Sequence, residues 1–176
     1  MENLNSQNEC FGSNIFLIGF MGSGKTHWGK IWAETNNCSF VDLDELVEKN
    51  AGKSVSEIFE TQGEEHFRKL EAEALRTCES LEDTIIACGG GTPCYYDNMQ
   101  WMNENGATVY ITCTPLEILR RVSIEQDKRP LFKKLNQAEL LFFIEQKLKE
   151  RSPFYTQAKY IISSEGLTPT TLSEII

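Results

Sequence analysis

The chain contains no stretch of about 18 or more consecutive apolar residues, so it carries no candidate membrane span. Basic runs are missing too. The 17 Lys and Arg are outweighed by 26 Asp and Glu, giving a formal net charge of −9. Binding along a nucleic-acid backbone calls for a clustered basic face, so nucleic acid is not an expected partner. An acidic protein can still hold a local basic pocket, whose guest would be small and anionic. Histidine is confined to His27 and His66, and the six cysteines include no C-x-x-C pair, which argues against a zinc site. The cysteines are scattered, some in apolar surroundings such as Cys88 and Cys113, and read as reduced thiols of a cytoplasmic protein. No Lys or Arg precedes Lys25, so the apolar run at 15–21 lacks the basic flank of a signal peptide. Repeats, low-complexity tracts and linkers are also absent. What is present, 40% hydrophobic and 24% charged residues over 176 positions, fits a single globular domain with a sizeable core.

One stretch organises the rest. Gly19-Phe20-Met21-Gly22-Ser23-Gly24-Lys25-Thr26 fits G-x-x-x-x-G-K-[ST], the phosphate-binding P-loop pattern. Ile15-Phe16-Leu17-Ile18 just before it reads as a buried parallel strand. Trp28, Ile31, Trp32 and Thr35 just after it recur at helical spacing, so a helix opens near Gly24. Strand, glycine loop and helix come in the order the chemistry needs. Glycines let several N–H groups converge, and the helix N-terminus adds its positive end. Lys25 can reach the outer phosphates of a nucleotide, and the Thr26 hydroxyl can bind Mg²⁺.

The polar residues 1–13 read as a frayed leader, and 14–176 as one domain. Phe40-Val41 looks like a short strand with Asp42 and Asp44 at its C-terminal end, where side chains two apart on extended chain share a face. Ser54-x-x-Glu57 is a capping box, and a further helix starts near Gly63 with Phe67, Leu70, Ala74 and Leu75 inward and Arg68 on another face. Thr84–Cys88 reads as a strand ending in Gly89-Gly90-Gly91. A helix is expected within 94–104, a strand at 107–111, and a helix opened by Pro115. The polar stretch 123–134 holds Arg129-Pro130-Leu131 and looks like a flap. An amphipathic helix follows at 137–150, then Arg151, a strand at Tyr160–Ile162, and a closing helix from Thr168-Pro169. Strands alternate with helices, which predicts an α/β fold with a parallel sheet wrapped by helices.

Four features bear on an acceptor site, and each has a plainer reading. Asp42 and Asp44 can divide two tasks, supporting Mg²⁺ and taking a proton from an acceptor hydroxyl; otherwise they are solvated residues at a strand end. Gly89, Gly90 and Gly91 let a ligand approach the backbone, or form a flexible turn. Arg68 and Arg151 suit a carboxylate, though arginines more often make surface ion pairs. Arg129 on a flap could reach a transferring phosphoryl group, and Arg121 could stack on adenine; both also read as solvated charges.

Taken together, GFMGSGKT, VDLDELVE, SVSEIFETQGEEHFRKLE, ACGGGTP, KRPLF and RSPFYTQAKY resemble the shikimate kinase family in order and spacing, from Asn14 to the C-terminus. The resemblance implies transfer of the ATP γ-phosphoryl group to the 3-hydroxyl of shikimate. It implies a three-layer α-β-α P-loop kinase with a five-stranded parallel sheet in order 2-3-1-4-5 and a mobile lid at about 123–135. It implies that Gly22, Ser23, Gly24, Lys25, Thr26 and His27 bind the nucleotide phosphates, with Lys25 on the transferred group. Thr26 and Asp42 would serve Mg²⁺, and Asp44 would hold shikimate hydroxyls and act as base. Arg68, Arg151 and the backbone of Gly89, Gly90 and Gly91 would hold the shikimate carboxylate. Arg129 would come from the lid onto ATP, and Arg121 would stack on adenine. Shikimate and ATP are then the expected partners of a monomer. His27-Trp28 departs from the pattern, since the family more often has a small hydroxyl residue and then an aliphatic one. Another P-loop kinase, such as a gluconate kinase, or an inactive ATP-binding module, are the competing readings.

Overall fold

The computed structural model describes residues 11–124 and 135–176. Five strands form one sheet: β1 (Ile15–Ile18), β2 (Ser39–Asp42), β3 (Thr84–Ala87), β4 (Ala107–Thr112) and β5 (Tyr160–Ser163). Their order across the sheet is β2-β3-β1-β4-β5, all parallel. Ile15 of β1 lies opposite Ile85 on one side and Ala107 on the other. β1 is therefore central, and all four of its side chains are buried. A strand covered on both faces needs no polar alternation, which is why IFLI reads as a continuous apolar run.

Successive β1 side chains point to opposite faces and seed two cores. Phe16 and Ile18 pack with Leu43, Ile58, Leu75 and Met102. Those residues come from the sheet's covering helices α2 (Leu43–Ala51), α3 (Val55–Thr77) and α4 (Asn98–Asn105). Ile15 and Leu17 pack with Trp32, Ala33, Val109 and Leu172, drawing in α1 (Lys25–Thr35) and the short terminal helix α7 (Thr171–Ile175). A third apolar cluster joins Phe20 to Ile118, Val122, Leu140 and Ile144, and so ties α5 (Pro115–Ile124) and α6 (Gln137–Tyr155) to the end of β1. The result is the helix-wrapped parallel sheet that the residue pattern anticipates, in the three-layer form and strand order that the family resemblance implies.

Several boundaries differ from the sequence reading. β2 stops at Asp42, and Asp44 lies in the first turn of α2, so the two carboxylates do not share one extended strand. Asp42 is the N-cap of α2, its side chain accepting from the Asp44 N–H at 3.0 Å. The sequence reading does hold within α3, which comprises two helical segments meeting at a kink at Gly63 (φ 82°, ψ 170°), where the second was expected to start. Its capping box at Ser54 and Glu57 is present in both directions. The helix expected within 94–104 is a 3₁₀ turn at Thr92–Cys94, and then α4. α6 runs past Arg151 and through Pro153 to Tyr155 rather than ending before Arg151. A buried Tyr155 side chain anchors that last turn against the core and outweighs the cost of the proline. α7 begins at Thr171, with Thr168–Thr170 as its approach. Phe11 packs against the second core, and the Gly12 N–H donates to Asp83 Oδ1 at 2.8 Å, so the domain extends upstream of Asn14. Among the described residues, no helix is long and apolar enough to cross a membrane.

Candidate active site

β1 runs into a loop in which Gly19, Gly22 and Gly24 all adopt positive φ (141°, 76° and 100°). That geometry places Lys25 at the first position of α1. Lys25 is nearly buried, and its Nζ donates to the carbonyls of Gly19 at 2.8 Å and Phe20 at 2.9 Å. The Thr26 hydroxyl donates to Asp42 Oδ2 at 2.8 Å, so one oxygen of Asp42 faces the P-loop while the other caps α2. Ser23 is fully buried, and its hydroxyl has no hydrogen-bond partner among the described residues. Arg121 of α5 donates from Nη1 to the Gly22 carbonyl at 2.9 Å and pairs with Glu117 at 3.4 Å. His27 is exposed beside the loop, its ring edge-on to Trp28, which stacks on Trp32. The His27-Trp28 pair is thus built into the packing of α1.

Gly22, Gly24, Lys25, Thr26, His27 and Arg121 line a cavity of about 490 Å³, whose walls also include Met21, Asp42, Asp44, Cys88, Gly89, Gly90 and Ile124. Asp42 and Asp44 meet in this cavity after all, brought there by a strand-to-helix corner rather than by a shared strand face. Burial pushes the Asp44 carboxyl up to about 6; the charges of Glu71 and Asp42 add to the rise, while Lys25 and Arg68 oppose it. Cys88 at the end of β3 is buried, and its thiol is pushed well up by that burial, so it is a neutral, inert neighbour.

Behind this wall lies a second charged cluster. Arg68 is 7% exposed, and its guanidinium lies over the rings of Phe67 and Tyr95, 5.0 and 4.7 Å from their centroids. Its Nη1 pairs with Glu71 Oε2 at 2.8 Å. Glu71 has no exposed surface, and its other oxygen accepts from the Thr92 hydroxyl at 2.5 Å. The three glycines sit against these charges. A Cβ on Gly89 would lie 2.5 Å from Glu71 Oε1 and 3.1 Å from Asp44 Oδ1, and one on Gly91 would lie 2.5 Å from Arg68 Nη2. One on Gly90 would lie 3.3 Å from Arg151 Nη1 and 3.3 Å from the Met21 nitrogen of the P-loop. The Gly90 carbonyl accepts from Arg151 Nη1 at 3.2 Å and from the Tyr155 hydroxyl at 2.5 Å. Close packing, not looseness, is what requires glycine here.

The structure therefore brings Gly22, Gly24, Lys25, Thr26, His27, Asp42, Asp44, Gly89, Gly90 and Arg121 to the wall of one cavity, with Ser23 buried within its loop, and sets Arg68, Gly91 and Arg151 around the glycine corner behind that wall. Arg129 lies outside the described residues. Sequence reasoning missed Glu71 and Tyr155. The one signal for Glu71 was its i+3 spacing from Arg68, a spacing that solvated helix pairs share. Tyr155 carried none beyond an aromatic after Pro153.

A parallel sheet with a P-loop at its central strand, next to a buried arginine–carboxylate pocket, defines a P-loop small-molecule kinase. A family model described as shikimate kinase matches residues 21–176. A shikimate kinase of Bacteroides thetaiotaomicron is 44% identical over 153 residues, covering 87% of each chain. The crystal structure of a shikimate kinase from the same organism superposes with a TM-score of 0.88 at 40% identity, covering 93% of this chain and 97% of that one. A shikimate kinase from Acinetobacter baumannii, solved in complex with shikimate, gives a TM-score of 0.81 at 31% identity, covering 94% and 90%. The chain belongs to the shikimate kinase family.

Proposed function

We propose that the chain transfers the γ-phosphoryl group of ATP to the 3-hydroxyl of shikimate, giving shikimate 3-phosphate and ADP, a step toward the aromatic amino acids. The observation that carries this reading is the place of Asp44. It lines the same cavity as Lys25, and its Oδ1 flanks Gly89 together with Oε1 of Glu71, the partner of Arg68, so the phosphate loop and the charged cluster adjoin at this residue. In-line transfer needs such proximity, and catalysis then rests on positioning and charge stabilisation.

In this reading Gly22, Ser23, Gly24 and Lys25 hold the phosphates with loop N–H groups and the lysine charge, His27 stands beside them, and Arg121 flanks the base. Asp44 accepts a hydrogen bond from the acceptor hydroxyl and takes its proton. Arg68 and Arg151 grip the carboxylate, with the backbone from Gly89 to Gly91 closing the pocket. Arg129 approaches the transferred group from a lid at about 123–135, which also keeps water out.

Mg²⁺ fits the donor set. Thr26 Oγ1 and Asp42 Oδ2 are 2.8 Å apart at the phosphate loop, and both are the hard oxygen donors this ion takes. No cluster of three or more His, Cys, Asp or Glu able to hold a metal occurs among the described residues. A sparse protein ligand set suits an ion that keeps waters and uses substrate phosphates. When bound, Mg²⁺ would offset charge on the phosphate oxygens, with Thr26 beside it and Asp42 acting through water.

The net charge of −9 and the free cysteines support a monomer of the cytoplasm with no nucleic-acid or membrane partner. The test is coupled ADP release with ATP and Mg²⁺, with shikimate, with gluconate, and with neither. Release stimulated by shikimate alone is expected. Stimulation by gluconate instead, or release indifferent to both acids, would reject the assignment.

A further inference from the structure

A guanidinium offers two edges to carboxylates, and in Arg68 they have unequal partners. Nη1 is committed to Glu71, whose side chain has no exposed surface and is held from its other side by Thr92. Nε and Nη2 face a single oxygen, Glu64 Oε1, at 3.3 and 3.0 Å. The Tyr95 hydroxyl donates to that same oxygen at 3.2 Å. Glu64 differs from Glu71 in its access to water: its side chain is 54% exposed. It also follows Gly63, where α3 is interrupted and an added β-carbon would meet no atom within 4 Å. Burial works against the Glu64 carboxylate, but the hydrogen bond and charge of Arg68 outweigh it and hold its pKa below the usual range, with Tyr95 and the charge of Arg151 adding to the effect. Glu64 thus sits in the field of both arginines assigned to the acceptor acid.

We propose that Glu64 is a built-in competitor for the acceptor's carboxylate, holding the Nε–Nη2 edge of Arg68 until an acid of the right shape displaces it. The inference rests on the assignment of Arg68 to the acceptor carboxylate. Glu64 gives one oxygen to two nitrogens, whereas an incoming carboxylate can give each nitrogen its own oxygen, the stronger, bidentate arrangement. A ligand that offers only a hydroxyl gains no such advantage and does not dislodge Glu64. Glu64 therefore sets specificity by making the pocket costly to enter for anything but a planar anion.

The test is steady-state kinetics of the full-length Glu64→Gln variant at saturating ATP, with shikimate and with an analogue lacking the carboxyl group. KM for shikimate is expected to fall about two- to five-fold, the range of a partly exposed ion pair, with kcat and the KM for ATP unchanged. The analogue is expected to gain nothing. An unchanged or raised KM for shikimate, or an equal gain for the analogue, overturns the proposal. Arg68→Ala separates the two levels. If it leaves KM for shikimate unaltered, the underlying Arg68 assignment fails. If it raises KM while Glu64→Gln does nothing, only the competitor role is lost.

Discussion

Thr26 and Asp42, sixteen residues apart in sequence, meet through a hydrogen bond of 2.8 Å that joins the phosphate loop to the start of α2. Because the other oxygen of Asp42 caps α2 at the Asp44 N–H, its charge and its structural task can be separated by substitution. Asp42→Asn keeps an oxygen for the cap and removes the charge. It is expected to fold like the wild type while raising the Mg²⁺ concentration needed for half-maximal turnover about tenfold or more. Asp42→Ala loses the cap as well, at a further cost of about 1 kcal/mol in stability. Mg²⁺ titrations of ADP release, paired with thermal melts, read the two effects apart. An Asn variant with a wild-type Mg²⁺ requirement would remove Asp42 from the metal site.

Asp44 carries the pH dependence. Its carboxyl is pushed to about 6, chiefly by burial. A base must be ionised, so kcat/KM for the acceptor should fall on the acid side with a midpoint near about 6. Stability runs the other way. The folded pKa lies above the unfolded one, so the folded state binds the proton more readily. This group's favourable contribution is complete below about 4 and is lost as pH rises through about 6. Asp44→Asn should therefore turn over at least about a hundredfold more slowly. It should also be about 1–3 kcal/mol more stable at pH 7, the difference closing as pH falls toward 4. A variant that melts at or below the wild type at pH 7 would show that the buried carboxylate is not under strain.

The central strands were legible because a strand covered on both faces cannot hide its composition. β1, β3 and β4 all read as apolar runs bounded by glycine or turns. Strand order did not follow from periodicity; it came from the likeness of the motifs to a known family. The corner after β2 was misread, although a signal was there. Asp42 followed by Glu45 is the spacing of a helix start, and a helix start puts Asp44 in a first turn rather than on a strand. α6 was read too short because its amphipathic pattern fades after Leu148, and the tertiary anchor at Tyr155 explains why it continues through Pro153. Glu71 was out of reach for a different reason. Its burial depends on the glycine corner 89–91 folding against α3, a contact between segments with no shared pattern.

Arg129 can be tested through function. If it closes onto the transferred phosphoryl group, Arg129→Ala should lower kcat by at least about a hundredfold, because such a charge acts mainly in the transition state. Shikimate binding, read by equilibrium titration without nucleotide, should stay near the wild-type value. Arg129→Lys should recover only a small part of the rate, since one ammonium cannot reproduce a planar fork. Wild-type turnover in the alanine variant would remove the arginine from the chemistry.

Gly91→Ala isolates the fit between the glycine corner and Arg68. Gly91 has φ −98° and ψ −16°, a conformation alanine adopts freely, so backbone strain plays no part. The added methyl carbon would instead lie 2.5, 2.6 and 2.7 Å from three atoms of the Arg68 guanidinium. That group has little room to yield. Glu71 holds one edge, and the rings of Phe67 and Tyr95 lie 5.0 and 4.7 Å from its central carbon. Overpacking of this kind typically costs about 1–3 kcal/mol. If that cost falls on the orientation of Arg68, KM for shikimate rises about tenfold or more while KM for ATP is unchanged. Gly90→Ala meets its nearest neighbours at 3.3 Å and should be milder on both counts. Equal loss of both substrates in the Gly91 variant, with a lowered melting temperature, would mean that the corner supports the fold rather than the acceptor pocket.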